Sequence, residues 1–447
     1  MENYTEDRRH ASYVRFIEEH KKQFGPLGDL FTKFHQKNME IIDFLEDDTQ
    51  EGLTSFKFLL KFFYKVVKVS SMHGAYHVSQ IRRHPCEVYY QRPTVMSIER
   101  DYMNWNISFP PVTLCGIEKI NKSALYEYVS ASNATDKRKL ARFIQNLVNL
   151  TYDTIDDIVE YRDLPGEEFL YLLEMVTYNM QAEMVTTAND TFPIERVITE
   201  MGICYAFNWD ISRYFSPRYF LDNVMPPPAD KYMVSIFDVE KVAFLKDVRH
   251  YEIYTHDSLD TPNTRRKLRV SEDTTTFTLL RFNAIPIVAS DNIRRLRIKQ
   301  RKCRFIDESN LNHFPIYTFS LCRIECKINA ILKFCECLPF FYKRLPGERY
   351  CDWQGLKCVG INRDRIKRKA LECDCYGNCE DTKFIVDEFS TAFWTLPSAI
   401  RIELSNTKTR LRRNVIYKLS DAFGKDILYM EFSLPLLFFL PVVGNIL

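Results

Sequence analysis

The stretch of sequence that decides the fold is TFSLCRIECKINAILKFCEC (residues 318–337), which is followed by CDCYGNC, beginning at Cys373. We interpret the first segment as a helix. Cys322 and Cys326 are four residues apart in it, so they share one face with a rise of about 6 Å between them. Cys373 and Cys375 would share one face of a strand, with a rise of about 6.6 Å. Because the two spacings match, two disulfide rungs can join helix and strand, in either direction.

Residues 303–379 hold ten of the 13 cysteines. Cys335 and Cys337, again at strand spacing, have Cys351 and Cys358 a short loop away. Each closed loop stabilises by about 2–4 kcal/mol on the chain-entropy model. Twelve paired cysteines allow about 10,000 connectivities, so the spacing limits the pairing without fixing it.

Disulfides explain this cysteine array better than a metal site or redox chemistry does. Cys335 and Cys337, like Cys373 and Cys375, form C-x-C pairs, whereas zinc sites favour C-x₂-C. His313 is the one histidine nearby, and no catalytic histidine partner stands out. We therefore predict no metal, and disulfides of the kind that form outside the cytosol.

Glycosylation motifs support the same exterior location. Five N-x-[ST] sequons occur at Asn106, Asn121, Asn133, Asn149 and Asn189.

Composition excludes several classes of function. Charged residues make up 27% of the 447 residues, and the net charge of +2 gives no reason to invoke nucleic acid. No Ser/His/Asp set or P-loop stands out, and 13 glycines leave little for a nucleotide cradle. We predict that the chain is not an enzyme and needs no cofactor.

Several segments outside the cysteine array have clear patterns. Residues 56–69 carry a lysine every three to four positions, which predicts an amphipathic helix at a membrane or partner surface. Residues 109–115 and 251–256 are predicted to be strands, and residues 137–150 and 167–181 amphipathic helices.

The one candidate for a membrane span is residues 427–447. It contains Glu431, Pro435 and Pro441, which make it marginal as an ordinary span. No secretory signal precedes the cysteine array, so an exporting segment is expected to be missing.

An ordered series of these segments resembles the degenerin/epithelial sodium channel family, and within it the pickpocket branch. The match covers residues 55–425 and rests on SSMHGAYHV (70–78), WNISFPPVTLC (105–115), MGICYAFN (201–208), YEIYTHDSLDTPN (251–263) and the cysteine spacing from Cys303 to Cys379.

The resemblance implies a pairing for twelve cysteines. The implied pairs are Cys115–Cys204, Cys303–Cys379, Cys322–Cys375, Cys326–Cys373, Cys335–Cys358 and Cys337–Cys351. Cys86 is left over, as a free thiol.

The resemblance also implies a fold class and a division of the chain. The expected fold is α+β: a large disulfide-rich extracellular domain of finger, thumb, palm, knuckle and β-ball parts, normally between two transmembrane helices. Residues 1–85 would be a cytoplasmic region, 86–425 the ectodomain with its thumb at about 303–380, and 426–447 an incomplete second transmembrane segment.

Two features depart from the family pattern. The family places its first transmembrane helix between the His73-Gly74 motif and Phe109, but residues 75–108 contain no apolar run. The second helix should carry a G-x-S filter, which residues 427–447 lack. We expect that the first helix has been lost, as by an omitted exon or a faulty gene model, and that the second is altered, as by a frameshift or intron read-through.

The resemblance implies a plasma-membrane, sodium-selective cation channel of the amiloride-sensitive type, gated by an extracellular ligand, protons or mechanical force. Its partners would be related subunits in a homo- or hetero-trimer, sodium the permeant ion, and His73 and Gly74 the gating motif. The alternative is a non-conducting ectodomain product that binds to or interferes with other subunits.

Other polar pairs have ordinary structural explanations. We interpret His256 and Asp257 as a pair that caps a strand end. The acidic pairs at residues 156–157 and 167–168 are interpreted as solvated helix faces.

Overall fold

The structure, a computed structural model, describes residues 93–180, 184–186, 190–235, 237–238, 241–246, 251–263, 267–269, 276–393, 399–405 and 408–415. The features predicted from sequence that lie outside the described residues are the helix at 56–69, His73, Gly74, Cys86, Asn189 and the segment 427–447.

Seventeen strands form among the described residues. They are β1 Thr94–Glu99, β2 Asn106–Ser108, β3 Val112–Gly116, β4 Met184–Thr186, β5 Thr191–Phe192, β6 Glu195–Thr199, β7 Gly202–Phe207, β8 Met233–Ser235, β9 Val242–Lys246, β10 Tyr251–Thr255, β11 Lys267–Arg269, β12 Thr276–Ala289, β13 Cys303–Arg304, β14 Gly377–Asn378, β15 Asp381–Phe393, β16 Ala399–Leu404 and β17 Arg410–Val415.

The larger sheet has eight strands in the order β1-β17-β12-β16-β9-β4-β5, with β15 on the free edge of β12. Strand β12 runs antiparallel to β15 along almost its whole length, with a register shift between Arg281 and Phe282. It runs parallel to β16 and β17. Strand β12 is therefore paired with three other strands of the larger sheet, namely β15, β16 and β17.

The second sheet has five antiparallel strands in the order β11-β10-β3-β7-β6. Apolar side chains of both sheets share one core, which includes Val112 and Phe207 from this sheet and Phe282 and Ile402 from the larger one. Two further pairs of strands are small: β2 with β8, and β13 with β14. The predicted strands at 109–115 and 251–256 correspond to β3 and β10.

Nine α-helices form among the described residues. They are α1 Lys122–Ala131, α2 Lys137–Asn149, α3 Phe169–Val176, α4 Pro217–Asp222, α5 Asp291–Arg294, α6 Ile298–Arg301, α7 Phe319–Cys335, α8 Trp353–Ile361 and α9 Arg363–Leu371. Short 3₁₀ helices lie at Tyr102–Asn104, Tyr152–Asp157, Gly166–Glu168 and Ser212–Phe215.

Helix α2 forms where its amphipathic pattern predicts. Asp136 caps its first turn, since the carboxylate accepts a hydrogen bond from the Lys139 amide. Leu140, Ile144 and Leu147 are buried at intervals of three to four residues, in a core that the helix shares with α3, α7 and α8. Each such side chain stabilises the fold by about 1.5–3 kcal/mol.

The predicted helix at 167–181 is shorter in the structure. A 3₁₀ turn precedes α3, which ends at Val176. The chain then leaves the helix because Thr177 forms a β-bridge with Ile120, and the Tyr178 amide donates to the Lys119 carbonyl. Pairing with a distant segment thus overrides the helical pattern.

The fold is therefore a mixed α/β, disulfide-rich domain. The described residues all fall within one compact unit, Glu87–Phe432.

Candidate functional site

Helix α7 is the longest helix of the described residues and carries three of the cysteines. It begins where the Thr318 side chain accepts a hydrogen bond from the Leu321 amide. It ends at Cys335 because Glu336 adopts a left-handed conformation with φ of 56°. Cys322 and Cys326 lie one turn apart on the same face, as the sequence predicts.

Two disulfide rungs join this face to the segment that follows α9. Cys322 pairs with Cys375 and Cys326 with Cys373, so the two segments run antiparallel at the rungs. The expectation of a strand at Cys373 and Cys375 is wrong, because these residues lie in a loop. The Cys375 amide donates to the Cys373 carbonyl at 3.0 Å, which curls the backbone into a turn.

Six disulfides are present among the described residues, and they are the same six pairs that the resemblance implies. They are Cys115–Cys204, Cys303–Cys379, Cys322–Cys375, Cys326–Cys373, Cys335–Cys358 and Cys337–Cys351.

Helix α8 packs closely on one of these disulfides. A Cβ atom added at Gly355 would lie 2.5 Å from the Cys337 sulfur and 2.9 Å from the Cys351 Cβ atom. No side chain fits there, so glycine is required for the helix to approach the Cys337–Cys351 bond. Helices α7 and α8 are also joined directly by Cys335–Cys358.

The cross-linked helices are continuous with the larger sheet. At the base, Cys303 is bonded to Cys379, and β13 pairs with β14 beside them. Strand β15 begins two residues later at Asp381 and runs along β12. Helix α7 is therefore linked through disulfides to the segment that leads into β15, and β15 pairs with β12, which pairs in turn with β17.

The first and last described strands are paired with each other. Strand β1 runs antiparallel to β17, with Thr94 opposite Val415 and Glu99 opposite Arg410. The Arg410 Nε atom lies 2.6 Å from the Glu99 carboxylate, and Arg412 contacts the same carboxylate. The two ends of the described domain thus leave the sheet side by side.

A charged contact fastens β15 to the second sheet. Lys383 Nζ lies 3.0 Å from Asp257 Oδ2 and 2.8 Å from Asp381 Oδ2, and both carboxylates are almost fully buried. The Phe384 amide also donates to Asp257 Oδ1. Burial disfavours the ammonium ion, but the two carboxylates outweigh it and raise the pKa of Lys383.

His256 fixes the neighbouring residue pair. Its Nε2 atom lies 2.9 Å from the Thr113 hydroxyl, and its Nδ1 atom lies 3.1 Å from the Asp257 carbonyl. Because a carbonyl only accepts, Nδ1 carries the proton of this bond. Trp209 packs edge-on against the imidazole at 5.3 Å between centroids. His256 and Asp257 therefore stabilise the end of β10.

A second buried histidine holds the cross-linked helices to two loops. His313 Nδ1 lies 3.0 Å from Glu325 of α7, and Nε2 lies 3.1 Å from Glu348. Carboxylates accept hydrogen bonds, so an imidazolium, which donates from both ring nitrogens, satisfies both glutamates. We call these three residues the His313 cluster.

Charge and burial oppose each other in the His313 cluster. Burial disfavours the imidazolium, but Glu325 and Glu348 outweigh it and raise the pKa of His313 above its ordinary value. Burial likewise disfavours the Glu325 carboxylate, yet the hydrogen bonds and charge of His313 lower its pKa. The cluster is thus most stable with both groups charged.

A third contact joins α7 to the β6–β7 hairpin. Glu200 Oε1 accepts hydrogen bonds from Lys327 Nζ and from the Tyr342 hydroxyl, both at 2.6 Å. Lys327 also lies 4.3 Å from the centre of the Tyr152 ring. Burial, followed by the charge of Glu200, raises the pKa of Tyr342, which therefore stays a donor.

The described sequons differ in exposure. Asn106, Asn133 and Asn149 are exposed, whereas Asn121 is half-buried. Asn121 caps α1, since its side-chain oxygen accepts from the Ser123 and Ala124 amides. The Asn121 side chain therefore has a structural role, as the cap of α1, that does not require glycosylation.

The cysteines do not form a metal centre in the described part of the chain. The sulfurs of Cys322, Cys326 and Cys375 lie within 4.8 Å of one another. All three belong to disulfides, which leaves no thiolate to bind a cation.

Sequence reasoning missed the His313 cluster and the contacts of Lys383. From the sequence, His313 is considered only as a possible metal ligand near the cysteine array. Its partners are 12 and 35 residues away, and those of Lys383 include Asp257 at 126 residues. No local pattern signals contacts at such separations.

A search of the described residues for a helix long and apolar enough to cross a membrane finds none.

Comparisons with known proteins place these features in a family. A family model described as amiloride-sensitive sodium channel matches residues 49–433. The chain is 22% identical over 329 residues to "Sodium channel protein Nach" of Drosophila ananassae, covering 66% of this chain and 60% of that protein. The chain thus spans about 60% of the length of that relative.

Two other relatives agree. The chain is 26% identical over 174 residues to "Pickpocket protein 11" of Drosophila melanogaster, covering 37% of this chain and 32% of that protein. It is 25% identical over 357 residues to "Bile acid-sensitive ion channel" of Mus musculus, covering 73% of this chain and 67% of that protein. The prediction that the chain is not an enzyme is confirmed, since the family and these relatives are ion channels.

Proposed function

Because this chain belongs to the amiloride-sensitive sodium channel family, we propose that it is a subunit of a sodium-selective cation channel whose ectodomain controls opening. It would act in the plasma membrane as a multi-pass protein, in a homo- or hetero-trimer with related subunits. Sodium would be the permeant ion, with no cofactor.

The observation that carries this proposal is the pairing of β1 with β17. An ectodomain between two membrane segments needs both of its connections at one end. Thr94 and Val415 are opposite each other in the pair, so the two ends leave the domain together. Movement of β17 relative to β1 would pull directly on both connections.

We assign the parts of the domain from this arrangement. Residues 303–380, with α7 to α9, would be the thumb, and the eight-stranded sheet the palm. The five-stranded sheet would be the β-ball, and α1 to α3 the finger. Residues 1–85 would be cytoplasmic, with His73 and Gly74 at the gate, and residues 426–447 would belong to the second membrane segment.

The proposed mechanism uses the thumb as a rigid lever. Four disulfides within residues 322–375 prevent local unfolding, so a stimulus moves α7 to α9 as one piece. The Cys303–Cys379 bond and the Lys383 contacts then pass the movement to β15. The stimulus would be an extracellular ligand, protons or force.

Whole-cell recording of the full chain tests the proposal. We expect an amiloride-blocked sodium current when the chain is expressed alone or with a related subunit. His73→Ala should reduce that current without reducing the amount of protein at the surface. A surface-exposed, glycosylated chain that carries no current and lowers that of the co-expressed subunit would favour the non-conducting alternative.

A further inference from the structure

A cavity of about 550 Å³ opens between α1, α2 and the segment that leads into α3. Its lining is mixed. Tyr128, Leu140, Tyr161 and Leu164 supply the aromatic and apolar part, and the polar part comes from Ser132, Asn133, Thr135, Asp163 and Glu168. The volume lies within the range of about 300–1,000 Å³ that is typical of small-molecule sites. The cavity is far in sequence from the cysteine array and takes no part in the lever described above.

The wall of the cavity is preformed. Tyr161 is buried and stacks on Phe143 at 5.2 Å between ring centroids. Leu140 and Leu164 are also buried, in the core that α2 and α3 share. A ligand would therefore meet a fixed aromatic surface and would lose little affinity to ordering of the wall.

The rim of the cavity is negatively charged. Asp163 and Glu168 line it, and neither has an ion-pair partner among the described residues. The negative charge of the rim also affects the pKa values of the two tyrosines. Burial raises the pKa of Tyr128 and of Tyr161, and the charge of Glu168 raises the first further and that of Asp163 the second.

We propose that this cavity binds an organic cation, namely a primary amine on an aromatic body. The aromatic body would pack between the tyrosine rings and the two leucines. The ammonium group would lie between Asp163 and Glu168 and over the face of a tyrosine ring, where ion pairing and the ring quadrupole both attract it. The proposal concerns binding alone and holds whether or not the chain conducts sodium.

Calorimetric titration of the purified full chain with phenethylamine tests the proposal, with 2-phenylethanol as the neutral probe of the same shape. The protein is first treated with glycosidase, because Asn133 lines the cavity and is also a predicted glycosylation site. We expect the amine to bind at millimolar concentration or better and the alcohol about tenfold more weakly, as one lost charge-assisted contact requires. Equal binding of the two compounds, or no binding of the amine at about 10 mM, would overturn the proposal.

Two matched pairs of variants locate the site. Glu168→Gln should weaken amine binding about fivefold or more, whereas Glu167→Gln, one residue away and outside the cavity lining, should leave it within about twofold. Ala131→Trp should block the cavity, whereas Ser130→Trp should not; both positions are exposed, so folding is preserved. Equal effects within either pair would contradict the assignment.

Discussion

Lys383 and Asp257 are 126 residues apart in sequence, yet the Lys383 ammonium group lies 3.0 Å from the Asp257 carboxylate. This contact joins β15 to the segment that ends β10, and so the larger sheet to the smaller. We expect Lys383→Met to lower the free energy of unfolding, because the buried carboxylates of Asp257 and Asp381 would lose the positive charge that faces both of them. Lys383 is 44% exposed, so the loss is discounted for solvent screening to about 1–3 kcal/mol.

Chemical denaturation measures this loss, and Lys367→Met is the matched control. Lys367 is 50% exposed and lies 3.7 Å from Asp153, so its removal should change stability by less than about 0.5 kcal/mol. Equal effects of the two variants would show that the Lys383 contacts contribute nothing specific.

The His313 cluster predicts that stability falls at alkaline pH. The pKa of His313 is raised in the folded state, so its contribution is fully present below the ordinary histidine pKa of 6.5 and is lost as pH rises through the folded value. The pKa of Glu325 is lowered, so its contribution is present above 4.5 and is lost as pH falls through the folded value.

Urea denaturation between about pH 5 and pH 9 checks this prediction. The free energy of unfolding of the wild-type chain should fall by about 1–3 kcal/mol towards the alkaline end, because deprotonation of His313 removes a hydrogen bond to a buried carboxylate. His313→Gln should be less stable at pH 5 and should lack that slope. The same slope in both proteins would mean that another group titrates.

Removal of one rung of the helix α7 cross-links should destabilise the domain. In the double variant Cys326→Ser and Cys373→Ser no thiol of this pair is left to mispair. The neighbouring Cys322–Cys375 bond still joins the same two segments, so only a short loop is released and the loss should cost about 2–3 kcal/mol. Denaturation of the two proteins without reductant measures the difference, and unchanged stability would show that the remaining bonds suffice.

Gly355→Ala should interfere with the packing of α8 on the Cys337–Cys351 bond. Either the helix or the disulfide must move, which is expected to cost about 1–3 kcal/mol. Gly377→Ala is the control, since a Cβ atom at that position meets no atom within 4 Å. We expect less fully oxidised protein, measured by mass spectrometry of the unreduced chain, in the first variant than in the second.

Glycosylation is predicted to depend on exposure. Asn133 and Asn149 are exposed, so they should carry sugar if the domain reaches the lumen of the secretory pathway. Asn133→Gln and Asn149→Gln should each raise the mobility of the chain on a denaturing gel by one glycan step. Unchanged mobility of both variants, with wild-type protein that resists glycosidase, would contradict an extracellular location.

The parts of the fold that could be predicted from sequence depend on short-range patterns. The spacing of Cys322 and Cys326 places them on one helical face whatever surrounds them. The helix at residues 137–150 follows from its repeat of buried side chains. The same reasoning failed at Cys373 and Cys375, where a local turn brings two cysteines to the helix as well as a strand would.

Long-range contacts explain why the rest could not be predicted. The end of α3 at Val176 depends on a bridge from Thr177 to Ile120, and the charge of His313 depends on a loop 35 residues away. Each of these residues is unremarkable within its own segment. Their roles exist only because the fold brings distant backbone and side chains together.

The pairing of Thr94 with Val415 also has a consequence for protein engineering. A domain whose first and last strands are neighbours can be inserted into a loop of an unrelated soluble host, because its two junctions are only about 5 Å apart. The same geometry suits circular permutation, in which a short linker closes the original ends and new ones are opened at an exposed turn.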